Sequence, residues 1–161
     1  MNMIIRTYKD SDISQMVTLF YETVHTVNAR DYSQEQLQAW APEDERETKM
    51  AQWGDTFRSH ITYVAEIDGW LAGFSDMTHD GYLDRLYVHK DYQGRGIASA
   101  LVRQLESEAN RLGLQQIWTE ASITAKPFFE RHGYQSIQKQ TVERRGVALH
   151  NFQMKKWISS L

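Results

Sequence analysis

The sequence predicts a mixed α/β protein in which helices cover both faces of one sheet. The predicted segments follow the order strand, two or three helices, three strands, helix, strand, helix, two strands. A strand–helix–strand unit in the middle of the chain implies at least one parallel pair of strands. No repeat, low-complexity tract or flexible joint interrupts the chain, so residues 1–161 are expected to form a single domain.

The chain begins with a predicted strand and an amphipathic helix. Ile4 to Tyr8 is the expected first strand, and Asp10-Ser11-Asp12 then offers side chains that cap a helix N-terminus. The helix that follows places its apolar residues on one face: Ile13, Met16, Val17 and Phe20.

Two shorter helical segments are expected next. Ser33 followed by Gln36 forms a capping box, which predicts a short helix that carries Trp40. Pro42 then opens an acidic helical segment from Glu43 to Gln52.

A hairpin and a further strand occupy the middle of the chain. Ile61 to Ile67 and Trp70 to Met77 flank Asp68-Gly69, a dipeptide typical of the tight type I′ turn. Tyr82 to Val88 is the next predicted strand.

The second half carries the clearest helix. From Ile97 to Arg111 the apolar residues form one stripe, and Gly113 ends the segment. A short strand from Gln116 to Thr119 and a short helix from Ala125 to His132 follow. The last predicted strands, joined at Gly146, are Tyr134 to Glu143 and Val147 to Trp157.

Composition excludes several classes of function. A net charge of −3 gives no reason to expect nucleic acid or an anionic membrane as a partner. The absence of cysteine excludes disulfides, cysteine-bound metal and a thiol nucleophile, and the scattered histidines show no metal-ligand spacing, so no metal is predicted. With no signal-peptide pattern and no apolar stretch of membrane-spanning length, a cytoplasmic location is expected.

The loop between the strand at Tyr82 to Val88 and the long helix has the features of an anion site. Gly94 and Gly96 allow the backbone to approach a ligand closely, and the amides at the helix N-terminus are unpaired. Together with the helix dipole and Arg95, these amides suit a phosphate or pyrophosphate. The spacing is not that of a P-loop or a dinucleotide fingerprint, and a tight turn that only starts a helix explains the glycines equally well.

Two ordered motifs resemble those of a known enzyme family. Gln93-x-x-Gly96-x-Ala98 matches the Q/R-x-x-G-x-G/A signature of the GCN5-related N-acetyltransferases (GNAT). The segment from Ala121 to Tyr134 resembles that family's A-x-P-F-Y-E-x-x-G-F helix-to-strand motif. The second half of the chain and the stretch from Tyr32 to Ala41 look most like the YafP-type bacterial members. The resemblance implies a mostly antiparallel central sheet with a central parallel pair whose strands splay apart.

The resemblance also implies which residues bind acetyl-CoA. Backbone groups of the strand end would pair with the pantetheine arm, and amides of the loop would hold the pyrophosphate. Ser122, with Thr124 as a further candidate, would contact coenzyme A, and Phe129 would lie beside its sulfur. The strand and loop residues concerned are Leu86, Tyr87, Val88, Gln93, Gly94, Arg95, Gly96, Ile97 and Ala98.

The family reaction is direct transfer of the acetyl group to an amine, for which a general base is useful. Many members place this base on the strand before the loop, which points to Asp84; strand alternation would put it on one face with Tyr82 and Leu86. An ion pair or an exposed strand face would also account for Asp84, and Glu120 is the alternative base. Many relatives have Tyr as general acid where this chain has Phe129, which leaves the acid open.

The acceptor is expected to be a small-molecule amine, bound near Tyr32, Trp40 and Tyr82. A protein lysine or N-terminus is the alternative acceptor, and a non-catalytic sensor of acyl-CoA is the alternative function. Small members of the family often dimerise through their late strands, which here contain Phe152 and Trp157 as candidate edge residues.

Overall fold

The computed structural model of the chain describes residues 2–158. In this part of the chain seven strands form one sheet in the order β1-β2-β3-β4-β5-β7-β6. The strands are β1 Met3–Thr7, β2 Ile61–Ile67, β3 Trp70–Met77, β4 Tyr82–Val88, β5 Gln116–Ser122, β6 Gln135–Arg144 and β7 Val147–Trp157. The α-helices are α1 Ile13–Thr26, α2 Gln34–Trp40, α3 Arg46–Ser59, α4 Ile97–Arg111 and α5 Lys126–Arg131.

Every neighbouring pair of strands in this sheet is antiparallel except β4 and β5. This confirms the predicted mixed fold with one central parallel pair. The β2–β3 turn also forms as predicted, because Asp68 and Gly69 both have positive φ angles, of 50° and 84°. No helix within residues 2–158 combines the length and apolar character needed to cross a membrane.

Helices cover both faces of the sheet. Residues of α1 and α3, among them Phe20, Trp53 and Phe57, pack with Phe74 of β3 in one core cluster. On the other face, α4 packs its apolar stripe on the sheet, with Val102 and other residues fully buried. The sheet is therefore the middle of three layers.

The acidic segment differs from its prediction. Glu43–Glu45 forms a 3-10 turn, and α3 begins at Arg46 and continues to Ser59, beyond the predicted end at Gln52. The additional turns are stabilised by burial of Trp53 and Phe57 against the sheet, which is a tertiary effect. The strand β5 likewise extends past Thr119 to Ser122.

The strand β7 is not an edge of the sheet, because it lies between β5 and β6 and pairs with both. Trp157 is 63% exposed, whereas Phe152 is half buried and lies below the Lys126 ammonium, 5.0 Å from the ring centroid. The expectation that Phe152 and Trp157 are exposed-edge residues was therefore wrong: both belong to an interior strand, and of the two only Trp157 is exposed.

Close packing brings the N-terminus of α4 to the centre of the sheet. A Cβ atom on Gly73 of β3 would lie 3.0 Å from Ile97 Cγ2 and 3.0 Å from the Tyr87 carbonyl oxygen. Only glycine leaves room for this approach. The loop that precedes α4 is thereby held beside the end of β4.

The two parallel strands separate soon after they meet. β4 and β5 pair only at Tyr82 with Trp118 and at Leu83 with Thr119, and the Thr119 hydroxyl donates a 2.8 Å hydrogen bond to the Leu83 carbonyl. Beyond this point β4 and β5 no longer pair with each other, although each still pairs with its other neighbour, β3 or β7. This confirms the expected splayed pair. The gap between them is the starting point of the candidate site.

Candidate active site

Two chambers meet at the gap between β4 and β5. The larger chamber, of about 540 Å³, lies between the loop before α4, α4 itself and α5. The smaller chamber, of about 290 Å³, lies between β4, β7, α2 and α3. Both volumes are in the range of small-molecule sites or just below it. The residues that line both chambers are Trp40, Asp84, Arg85, Tyr87, Glu120 and Ser122.

The larger chamber contains a row of free backbone amides. The first hydrogen bond of α4 runs from the Ala100 amide to the Gly96 carbonyl, at 3.0 Å, and the amides of residues 94–99 donate to no atom within residues 2–158. Gly94 and Gly96 have φ angles of 74° and 79°, which favour glycine. These donors and the positive end of a 15-residue helix form a cradle suited to an anion.

The residues predicted to bind the cofactor lie around this cradle, with one exception. All of them line the larger chamber except Arg95. The Arg95 guanidinium lies 5.2 Å from the ring centroid of Tyr92. Gln93 uses its side-chain amide to close the loop, by donating a 2.7 Å hydrogen bond to the Val88 carbonyl.

The residues predicted to contact coenzyme A from the wall formed by β5 and α5 also form contacts within the protein. The Ser122 hydroxyl accepts a 3.0 Å hydrogen bond from the Ala125 amide, and the Thr124 hydroxyl donates a 2.8 Å bond to Asp31 Oδ2. Phe129 is 2% exposed and packs edge-on against Tyr134 while it lines the chamber. These contacts fix the turn between β5 and α5 that forms one wall.

Asp84 occupies a β-bulge. Asp76 of β3 pairs with Arg85, but the next residue, Met77, pairs with Leu83, so Asp84 is the extra residue. The bulge changes the side-chain alternation: Leu83 and Leu86 both pack on the α4 face, while Asp84, with Tyr82, faces the smaller chamber. The prediction that Leu86 shares a face with Asp84 was therefore wrong.

The Asp84 carboxyl sits in a network of charged groups. The Arg85 Nη1 atom lies 3.1 Å from Asp84 Oδ2 and 2.7 Å from Oδ2 of the fully buried Asp76. His60 Nδ1 lies 2.8 Å from the same Asp76 oxygen. Burial raises the pKa of Asp84; the Arg85 charge opposes this shift, and the Asp76 charge adds to it. A carboxyl whose pKa is raised is a better proton acceptor near neutral pH.

The same network has the composition of a metal site, which the sequence spacing does not reveal. His60, Asp76 and Asp84 offer ligand atoms that all lie within 4.8 Å of one another. The Arg85 guanidinium already contacts both carboxylates and supplies the positive charge that a metal ion would bring. The arrangement is therefore better described as an ion-pair network around Asp84, and the absence of a metal stays a prediction.

Glu120 faces Asp84 across the gap. It is exposed, its Oε2 atom accepts a 2.7 Å hydrogen bond from Gln140, and the Tyr82 hydroxyl lies 3.4 Å from its Oε1 atom. Burial, followed by the Glu120 charge, raises the pKa of Tyr82 far above its usual value. Tyr82 is therefore a neutral hydrogen-bond donor at the chamber wall.

Comparison with known proteins identifies the family. The family model of the acetyltransferase (GNAT) domain matches residues 28–156. The chain is 37% identical over 155 residues to the uncharacterized N-acetyltransferase YafP of Escherichia coli (strain K12), covering 96% of this chain and 95% of that protein. The chain belongs to the GNAT family. It is an acetyl-CoA-dependent N-acetyltransferase, as its sequence motifs predicted.

Solved GNAT structures agree with this assignment. A GCN5-related N-acetyltransferase from Rhodopseudomonas palustris superimposes with a TM-score of 0.90 and 31% identity over 98% of both chains. The PaiA N-acetyltransferase from Thermoplasma acidophilum, solved in complex with coenzyme A, shares the fold with a TM-score of 0.76 and 18% identity over 98% of this chain and 99% of that one.

The tyrosines near the site differ in whether their hydroxyls are free to replace the general acid that Phe129 does not supply. Tyr134 donates a 2.8 Å hydrogen bond to Glu106, and the Tyr32 hydroxyl bridges the Ile123 amide and the His150 carbonyl, at 2.8 Å each. The ring of Tyr32 still lines the smaller chamber, packed edge-on against Trp40. Tyr87 lines both chambers, and burial raises its pKa far above the usual value, so its hydroxyl stays protonated.

Sequence reasoning missed four cations of this GNAT site. Arg30, in a 3-10 turn after α1, and Arg131, in the last turn of α5, both line the larger chamber. Lys49 of α3 and Arg144 of β6 line the smaller one. Each comes from an element distant in sequence from the loop, so that local patterns carry no signal for its position.

Proposed function

We propose that the protein acetylates the primary amine of a small molecule bound in the smaller chamber, with Asp84 as the general base. The observation that carries this proposal is the position of Asp84, whose carboxyl lies where the two chambers meet at the gap between β4 and β5. A donor on one side and an acceptor on the other would come together beside this carboxyl.

The larger chamber fits the acetyl donor, acetyl-CoA. Its free amides at residues 94–99 and the guanidinium groups of Arg30 and Arg131 suit the pyrophosphate and phosphate groups. On the side of the gap, the backbone of β4 beyond Leu83 has no pairing with β5 and can bond the amides of the pantetheine arm.

The reaction requires a neutral amine. An alkylammonium has a pKa of about 10.4 and no lone pair for attack near neutral pH. Asp84 accepts one proton from the ammonium, directly or through one water, and the neutral nitrogen then forms a bond to the thioester carbonyl carbon. The nitrogen loses its second proton to solvent as the carbon–sulfur bond breaks. Acetyl-CoA supplies the activated acetyl group, and coenzyme A leaves as a thiolate that takes up a proton from solvent.

The size of the smaller chamber favours a small acceptor. About 290 Å³ accommodates one compact molecule, and four aromatic rings line it: Phe20 of α1, Tyr32 of the turn before α2, Trp40 of α2 and Trp53 of α3. A volume of this size is less well matched to the surface of a folded protein that presents a lysine or an N-terminus.

The proposal can be tested with a panel of amines, acetyl-CoA and detection of the released thiol. We expect turnover by the wild-type protein, and Asp84→Asn is expected to lower kcat/KM by about 10²-fold or more, the usual size of a general-base contribution. The matched control is Asp68→Asn, an exposed turn residue at a φ angle that asparagine tolerates.

The pH profile provides a second readout. Because the base must be ionised and the pKa of Asp84 is raised, wild-type activity should fall as the pH is lowered through that pKa, and the acid limb should disappear in Asp84→Asn. A variant within about twofold of wild type would move the role to Glu120 or to solvent. Tight acetyl-CoA binding without turnover on any amine or peptide would instead favour an acyl-CoA sensor.

A further inference from the structure

The smaller chamber has a charge pattern that goes beyond the needs of a simple amine. Three cationic side chains line it, Lys49, Arg85 and Arg144, together with the carboxylates Asp84 and Glu120. An amine acceptor explains the carboxylates, because an ammonium is attracted to them before it is deprotonated. It does not explain the cations.

Lys49 has no direct anionic partner in the part of the chain that the structure describes. Within residues 2–158 its ammonium forms no salt bridge, and it lies 5.3 Å from the ring centroid of Trp53 and 5.4 Å from that of Phe20. Burial lowers the pKa of Lys49, although the charge of Glu45 opposes this shift. A half-buried cation without a counter-ion is costly, and an anionic ligand would offset that cost.

The other two cations differ in how far they are neutralised. Arg85 forms ion pairs with Asp76 and Asp84, so its charge is balanced within the protein. Arg144 is exposed at the rim of the chamber, and its only hydrogen bond within the described chain goes to the carbonyl of the adjacent residue, Glu143, at 3.1 Å. The unmatched positive charge of the chamber therefore belongs to Lys49 and Arg144.

We infer that the acceptor is a small amino acid-like molecule, with a primary amine directed to Asp84, an anionic carboxylate directed to Lys49 and Arg144, and an apolar side chain against the aromatic walls. This inference rests on the proposed function. It names the substrate class, since a base and two cations that line the same chamber select an amine that also carries a negative charge.

The test compares three pairs of acceptors that differ in the carboxylate: alanine with ethylamine, leucine with isoamylamine, and phenylalanine with phenethylamine. Because the carboxylate also lowers the pKa of the amine, kcat/KM is calculated on the concentration of the neutral amine. For the best pair, we expect kcat/KM to be at least about tenfold higher for the amino acid, equivalent to about 1.4 kcal/mol. Lys49→Met keeps the apolar stem and helix propensity but removes the charge, so it should abolish this preference.

Lys139→Met is the matched control, because Lys139 is exposed on β6 and lines neither chamber. It should retain the wild-type preference. Preference for the decarboxylated member in every pair, or an unchanged preference in Lys49→Met, would overturn the inference.

A binding measurement separates this inference from the proposed function. Calorimetry with the same pairs, on protein saturated with coenzyme A, needs no turnover. Selective binding of an amino acid that Lys49→Met removes would support the inference even if catalysis were absent, in which case only the proposed function fails. Equal binding of both members, or no binding of any of the six compounds, would contradict the inference.

Discussion

Replacing Gly96 by aspartate should block acetyl-CoA binding through charge. Gly96 precedes α4 at a φ angle of 79°, and a Cβ added there would meet no heavy atom within 4 Å. The new carboxylate would therefore extend into open space beside the free amides of residues 94–99. That is the space assigned to the pyrophosphate.

The size of the effect follows from Coulomb's law. A carboxylate about 4 Å from one phosphate charge costs about 4 kcal/mol at an effective dielectric constant of about 20. Since each 1.4 kcal/mol corresponds to a factor of ten in Kd, the expected weakening approaches about 10³-fold. The carboxylate would also accept hydrogen bonds from the helix amides and so occupy the donors themselves.

Gly96→Asn is the matched control, because asparagine has almost the same shape, also tolerates positive φ and carries no charge. Calorimetric titration with acetyl-CoA should give a much higher Kd for the Asp variant than for the Asn variant, while their Tm values stay similar. The ratio of the two Kd values should shrink in about 1 M salt, where the Debye length falls to about 3 Å. Equal affinities of the two variants at low salt would refute the phosphate cradle.

Further predictions concern stability and packing. The Arg6 guanidinium forms two 2.9 Å hydrogen bonds with Asp12, so Asp12→Asn should destabilise the fold by about 2–3 kcal/mol in urea denaturation at pH 7; a loss below about 0.5 kcal/mol would contradict this. Burial alone would raise the pKa of Asp12, but the Arg6 pair and the Lys9 amide hold it below the usual value. The stabilisation by the ionised Asp12 carboxylate is therefore present above the pKa that Asp12 has in the unfolded chain, and it is lost as the pH falls through the lower pKa of the folded state. The free energy of unfolding of Asp12→Asn should accordingly fall less steeply with decreasing pH than that of the wild type. Gly73→Ala would place a Cβ 3.0 Å from the Tyr87 carbonyl oxygen, so we expect a loss of about 1–3 kcal/mol and weaker acetyl-CoA binding as α4 moves outward; an unchanged Tm and Kd would show that the contact is not tight.

The parts of the fold that depend on local chemistry were predictable from the sequence. Asp68-Gly69 specifies its turn through residues that adopt positive φ, and the stripe along α4 specifies a helix with one buried face. The loop signature located the cradle because glycine conformation and free helix amides are properties of a few adjacent residues. The length of α3 was not predictable, because its last turns depend on Trp53 and Phe57 meeting the sheet.

The candidate site was only partly predictable, because several features depend on a partner strand or helix. The bulge at Asp84 arises from the change of register against β3, which strand alternation alone cannot show. Lys49 and Arg131 reach the chambers from separate elements. Gln93 occupies a position of the family signature, and its side chain donates a hydrogen bond to the Val88 carbonyl at the end of β4. The signature alone does not indicate this bond.

The two chambers are built from different parts of the polypeptide. The donors at residues 94–99 and along the open side of β4 belong to the main chain, so they depend on the backbone conformation that Gly94 and Gly96 allow and not on side-chain functional groups. The smaller chamber is defined by side chains such as Lys49 and Trp53. On the proposed assignment of the smaller chamber to the acceptor, single substitutions there would redirect the enzyme to another amine while its acetyl donor stays the same. Descendants of one ancestor could then diversify their acceptors without rebuilding the donor half.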